Sequence, residues 1–144
     1  MKRTQPRTVR IDIASRFEML EMVQTVLSHV TGMLRLDDDA AHYVSVAIRE
    51  SVVNAIKHGN HGDGDKRVAV EFLLHPGALE VTVQDEGTGF DPETVPSPLA
   101  EENLLKADGR GIFFMRSFMD EVRYDFPPGG GTSVHMTKRL PAAD

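Results

Sequence analysis

Residues 50–59 read Glu50-Ser51-Val52-Val53-Asn54-Ala55-Ile56-Lys57-His58-Gly59. They close an amphipathic segment that opens at Asp37-Asp38-Asp39, acids placed where a helix N-terminus is electropositive. Val44, Ala47, Ile48, Val52, Ala55 and Ile56 recur at helical spacing. The segment is therefore predicted as a helix running to about His58, with Gly59 ending it. Glu50, Asn54 and His58 stand at i, i+4 and i+8 and share a face distinct from that apolar stripe. A carboxylate and a carboxamide one turn apart suit hard-cation chemistry, because Mg²⁺ takes oxygen ligands, keeps waters and shares phosphate oxygens. Asn54 offers a carbonyl ligand, and Glu50 is placed to orient or deprotonate a nearby hydroxyl or water. A plain solvated helix face has the same pattern, so the flanking segments decide.

Upstream, residues 8–14 alternate Val9, Ile11, Ile13 against Arg10 and Asp12, which predicts a strand with one buried face. Ser15 then reads as an N-cap, with Glu18 completing a capping box. The helix it opens is predicted to run to about Met33, with Leu20, Val23, Leu27, Val30 and Leu34 as core stripe. A second stripe of Met19, Met22, Val26 and Met33 lies beside it, widening the apolar arc beyond the roughly 100° that one contact needs. Two readings fit: a helix sandwiched between sheet and neighbour helix, or a self-association or partner face. Gly32 and Leu36 break the pattern before the second helix.

Downstream, residues 60–65 read as a polar loop, and residues 66–74 and 78–84 as strands. His75-Pro76-Gly77 between them is a tight turn, so the two are expected to form an antiparallel hairpin. Residues 85–90 are a glycine-rich turn. Residues 91–108 hold three prolines and no sustained period. That length is excessive for an idle connection and marks a lid or binding loop. A short helix over 109–119 and strands over 121–126 and 132–138 complete the chain. Residues 1–144 thus read as one α+β domain, with helices on one face of a mostly antiparallel sheet.

Composition narrows the function. At 144 residues, 40% hydrophobic and 26% charged, the chain is expected to fold as a single globular domain. It has no cysteine, which excludes thiolate metal sites, disulfides and a cysteine nucleophile. A net charge of −6 argues against direct nucleic-acid binding. No apolar run approaches the roughly 20 residues of a membrane span, and the basic N-terminus lacks an apolar signal region. A cytoplasmic protein is expected. His42, His61, His75 and His135 are scattered and make no zinc pattern.

The glycine-bearing segments carry the remaining signal. No Walker A loop occurs. Gly87-Thr88-Gly89 follows a strand but runs into Phe90-Asp91-Pro92, a poor dinucleotide fingerprint. Gly109-Arg110-Gly111 precedes a helix, whose N–H groups suit phosphate oxygens. Each pair taken alone also reads as a plain turn. Asp85 ends a half-buried strand, and a buried acid requires a partner. Either it caps its own turn as an Asx motif, or it meets a donor from outside that turn.

In order and spacing these segments resemble the GHKL ATPases. Residues 50–59 resemble their N box, Asp85-Glu86-Gly87-Thr88-Gly89-Phe90 the first glycine box, Gly109-Arg110-Gly111-Ile112 the second and Gly131-Thr132 the last. The resemblance spans about residues 11–138. Within that superfamily the chain looks most like the bacterial anti-sigma factor serine/threonine kinases of stress and sporulation switches. Asn54-Ala55-Ile56-Lys57-His58-Gly59-Asn60 and Phe118-Met119-Asp120-Glu121-Val122 are typical of them.

The resemblance implies the Bergerat fold, a two-layer α/β sandwich with ATP between the helices and a mobile lid at about 91–108. It implies Asn54 as Mg²⁺ ligand and Glu50 as general base, with His58 on the same nucleotide-facing side. Asp85 would accept from the adenine amino group, and Gly87 and Gly89 would let backbone approach the base. Gly109 and Gly111 would bring N–H groups to the phosphates, Thr132 would join the adenine pocket, and Arg110 or its rival Lys106 would reach the γ-phosphate. The expected activity is ATP-dependent phosphorylation of a serine or threonine on a STAS-type anti-anti-sigma protein, with sequestration of a sigma factor. The second methionine stripe and the resemblance together imply a homodimer.

Two other functions are weighed. A non-catalytic ATP-sensing module needs no base, so Glu50 favours the enzyme. A detached histidine-kinase-like ATPase domain needs a phosphoacceptor. His29, between apolar neighbours and with no acid after it, reads instead as an interior or interface histidine.

Overall fold

Alternating side chains build a five-stranded sheet in the computed structural model, which describes residues 7–87 and 118–140. The strands are β1 (Arg7–Ala14), β2 (Arg67–His75), β3 (Ala78–Gln84), β4 (Glu121–Asp125) and β5 (Ser133–Arg139). Their order is β1-β2-β3-β5-β4, and every neighbouring pair is antiparallel. The hairpin expected at His75-Pro76-Gly77 forms, with His75 opposite Ala78. Two helices, α1 (Leu20–Met33) and α2 (Asp38–Asn54), pack together with the sheet, giving the expected α+β two-layer sandwich.

The period of two sorts the strands into two faces. Ile13, Val68, Val70, Phe72, Leu74, Leu79, Val81, Val83, Val134 and Met136 are buried in the core they share with the helices. Each large side chain fully buried there contributes about 1.5–3 kcal/mol. The opposite face is polar, with Arg10, Glu71, Thr82, His135 and Arg123 in one cross-strand row. His135 is fixed in that row: its Nδ1 lies 2.9 Å from Thr82 Oγ1 and its Nε2 2.9 Å from Asp125 Oδ2.

On α2 the expectations hold closely. Asp37 caps it, accepting from Ala40 N at 2.7 Å, and Val44, Ala47, Ile48 and Val52 are buried. The α-helix stops earlier than predicted, at Asn54, and a π-helical turn, Ala55–Gly59, follows. The wider turn is closed by Asn60 N donating to Ala55 O at 2.8 Å, a five-residue step.

Helix α1 departs from its prediction at its start and ends at Met33 as expected. The capping box at Ser15 does not form: Ser15 is buried, and its hydroxyl donates to Lys66 O at 2.7 Å. Ser15 joins β1 to β2 instead, and a 3-10 turn, Phe17–Met19, precedes the helix. At the far end Arg35 takes a left-handed φ of 56°. Leu36 N donates to Thr31 O and Arg35 N to Gly32 O, the paired bonds of a Schellman motif with arginine where glycine is usual. Val23, Leu27 and Val30 are buried, and Leu20 and Leu34 pack at the margin. Met22 and Met33 are 56% and 53% exposed, so the sandwiched reading of the second stripe fails for them. Met19 and Val26 pack partly buried against the core. His29 is exposed, which corrects the interior placement.

The predicted loop over 91–108 lies outside the described residues, as does the helix over 109–119 apart from Phe118 and Met119.

Candidate functional site

Strand β3 runs directly into Asp85, which is 4% exposed. Its Oδ1 accepts from Gly87 N and from Thr132 N, each at 3.1 Å, and its own N–H donates to Thr132 O at 3.0 Å. Burial pushes the Asp85 pKa above its usual 3.8, and the N–H donors of Gly87 and Thr132, with the charges of Lys66 and His61, pull back less strongly. Oδ2 receives no hydrogen bond from any described residue. Thr132 Oγ1, next to that carboxylate, is buried and unpartnered. Buried polar atoms are nearly always paired, so the Thr132 hydroxyl beside the buried Asp85 carboxylate marks a place for a ligand with complementary groups. Of the two sequence readings of Asp85, the Asx-type turn bond is present, made by Oδ1 with Gly87 N.

Three glycines make this approach possible. A Cβ on Gly59 would lie 2.1 Å from Asp85 Oδ2. A Cβ on Gly87 would lie 1.6 Å from Gly59 O. Gly131, at φ 87°, has Asp85 O within 2.2 Å of where its Cβ would be. The space a side chain at Gly87 would need is therefore taken by the backbone of the π turn. Gly59 and Gly131 carry as much of the construction as Gly87.

Asn60 is the residue that sequence reasoning missed. Placed there in a polar loop, it is in fact fully buried. Its Nδ2 donates to Ser15 Oγ at 2.7 Å and to Arg67 O at 3.0 Å, and its Oδ1 accepts from Glu86 N at 2.9 Å. Its signals in the sequence were its place directly after the helix-ending glycine and its position at the end of the run from Asn54 that resembles the anti-sigma kinases.

Glu50 and Asn54 stand one turn apart near the C-terminal end of α2, both half-buried. Their side chains make no hydrogen bond among the described residues, which leaves a carboxylate and a carboxamide available on one face. His58, on the π turn, is exposed. Gly89, Lys106, Gly109, Arg110 and Gly111 lie outside the described residues. Among the described residues no three His, Cys, Asp or Glu side chains cluster to hold a metal, and no helix is long and apolar enough to cross a membrane.

A helical layer on an antiparallel sheet, with a strand-end carboxylate buried against the turn that ends α2, makes this an α/β sandwich with a built polar corner between its layers. The model of the histidine kinase-like ATPase domain family matches residues 13–138, and the chain belongs to that family. ATP use comes with this membership. The serine-protein kinase RsbW of Listeria monocytogenes serotype 4a (strain HCC23) is 29% identical over 138 residues, covering 92% of this chain and 87% of its own. The anti-sigma F factor of Oceanobacillus iheyensis is 35% identical over 99 residues, covering 67% and 68% respectively. Among solved structures, the RsbU and RsbW domains of a Mycobacterium tuberculosis protein align with TM-score 0.68 at 21% identity. That alignment covers 94% of this chain and 34% of the other, and it is a likeness of fold.

Proposed function

We propose that this protein is an ATP-dependent serine/threonine protein kinase that acts as an anti-sigma factor. The observation that carries the nucleotide site is the buried, unpartnered Thr132 Oγ1 beside the buried carboxylate of Asp85, whose Oδ1 is held by two backbone N–H groups. The adenine amino group is the donor that suits Asp85, and Thr132 completes that pocket. The names of the relatives support the kinase and anti-sigma roles.

Asn54 is the proposed Mg²⁺ ligand. One carboxamide oxygen fits a cation that keeps several waters and shares phosphate oxygens, and it needs no carboxylate cluster. When bound, the ion supplies charge neutralisation at the phosphates. Glu50 takes the proton of the substrate hydroxyl as that oxygen bonds to the γ-phosphorus of ATP and ADP leaves. His58 flanks this face. Gly87 and Gly89 frame the base side, and Gly109 and Gly111 offer N–H groups to the phosphates. Arg110 or Lys106 meets the γ-phosphate. These last roles rest on the sequence motifs.

The proposed partners are a STAS-domain anti-anti-sigma protein, whose serine or threonine receives the phosphate, and a sigma factor, all in the cytoplasm. A second copy of the chain is proposed to cover the exposed Met22 and Met33. Incubation with γ-labelled ATP, Mg²⁺ and a STAS-domain protein of the same organism tests the reading. Label on the protein substrate is expected. ATP binding without transfer to any STAS protein of that organism would instead favour the sensing module.

A further inference from the structure

We propose that Asn60 is a positioning residue that sets the adenine-reading carboxylate of Asp85 against the end of α2. The proposal rests on the nucleotide reading above. Asn60 lies at the junction of four segments. Its backbone closes the π turn through Ala55 O, at 2.8 Å. Its carboxamide reaches the end of β1 through Ser15 Oγ, the start of β2 through Arg67 O, and the residue after Asp85 through Glu86 N. Ser15 is itself tied to Lys66 O. A second bond fixes the same corner, with Glu86 Oε2 accepting from Arg67 N at 2.8 Å.

The consequence follows from chain connectivity. Asp85 is held from one side by the N–H groups of Gly87 and Thr132 on its Oδ1. From the other side Asn60 Oδ1 ties its neighbour Glu86 to the helix layer. Gly59, one residue before Asn60, presses its Cα against Asp85 Oδ2 and its carbonyl against Gly87. One buried side chain thus fixes the gap between the helix end that carries Glu50 and Asn54 and the strand end that carries Asp85. Three hydrogen bonds from a planar amide define that gap in direction as well as distance, which a merely space-filling side chain does not do. Placement of Oδ2 decides whether the carboxylate meets an exocyclic amine, so Asn60 governs discrimination among purines.

The experiment compares binding of ATP with that of purine riboside triphosphate, which lacks the amino group. Titration calorimetry would be run on wild type, Asn60→Ala and Ser15→Ala. Wild type is expected to prefer ATP by about tenfold or more, the worth of one hydrogen bond to a charged group. Asn60→Ala is expected to narrow that preference to within about twofold. Ser15→Ala keeps the Asn60–Glu86 bond and loses one anchor, so it is expected to fall between. A merely structural role lowers the melting temperature and the fraction competent to bind while leaving the ratio of the two affinities intact. A wild-type ratio in a folded Asn60→Ala therefore overturns the proposal. Should Asn60→Ala not fold, a wild-type ratio in Ser15→Ala overturns it equally. Failure of the wild type to bind ATP is a different result, since it removes the nucleotide reading itself and the proposal with it.

Discussion

Strand β3 ends in two contrasting ways. At Ala78 it leaves a two-residue turn whose polar groups find partners: His75 Nε2 lies 2.6 Å from Glu80 Oε2, and Leu140 N donates to Gly77 O at 3.0 Å. A Cβ on Gly77 would meet nothing within 4 Å. At Gln84 the strand enters a crowded corner, where added Cβ atoms on Gly59, Gly87 and Gly131 would collide with Asp85 or its neighbours. There a carboxylate is buried, and the hydroxyl of Thr132 beside it is buried without a partner. The hairpin end is built for stability alone. The other end gives up stability, because an ionised buried acid without a full set of donors opposes folding.

The largest expected effect lies at the costly end. Glu50→Gln keeps shape and hydrogen bonding but cannot take a proton. Phosphotransfer to a STAS protein should fall by roughly 10²–10⁴-fold with ATP affinity retained. Transfer at the wild-type rate would make Glu50 structural.

Asp85→Asn comes next. Its amide oxygen would keep the two N–H groups of Gly87 and Thr132, which turns Nδ2 toward the ligand, a donor facing a donor. ATP affinity should drop by about 100-fold, by calorimetry. Stability should move the other way. The folded pKa of Asp85 is raised above its unfolded value, so its contribution is lost as pH rises through the folded pKa. Thermal melts should therefore find Asp85→Asn more stable than wild type at neutral pH. The gap should close as pH falls toward 3.8 and wild-type Asp85 is protonated. A variant less stable at every pH would show that the carboxylate holds the corner together.

Glycine substitutions sharpen the contrast. Gly87→Ala places its Cβ 1.6 Å from the Gly59 carbonyl and should destabilise by about 1–3 kcal/mol or more in urea melts. Gly77→Ala should stay within about 0.5 kcal/mol of wild type. Equal costs at the two ends would erase the distinction drawn between them.

The smallest effect belongs to the hairpin. His75→Ala removes a partly exposed pair with Glu80 and should cost at most about 1 kcal/mol, with ATP binding unchanged. A change in nucleotide affinity would mean that the two ends of β3 communicate.

Much of this architecture was legible from the residues because it depends on local periodicity. Val68, Val70, Phe72 and Leu74 alternate, and all four are buried in β2. Val44, Ala47, Ile48 and Val52 repeat at helical spacing, and all four are buried in α2. The pairing of Glu50 with Asn54 on one face also follows from spacing within a single helix. Ser15 misled for a definite reason. A hydroxyl before an apolar run fits an N-cap locally, but a nearby buried carbonyl, Lys66 O, competed for it and won. Asn60 looked like one more polar residue in a loop, because its three partners stand 45, 26 and 7 residues away.

Residue order alone specifies the elements, their faces and the chemical types brought to the helix end and the strand end. Those properties arise from side-chain period and from residues close along the chain. Three features emerge only in the folded chain: the helix widens into a π turn, Met22 and Met33 stay outside the core, and Gly59 carries the carboxylate against its Cα. The reason is that these features satisfy backbone and polar groups from segments far apart in sequence. Which buried oxygen goes unpaired is settled only when all those groups compete for partners in one place.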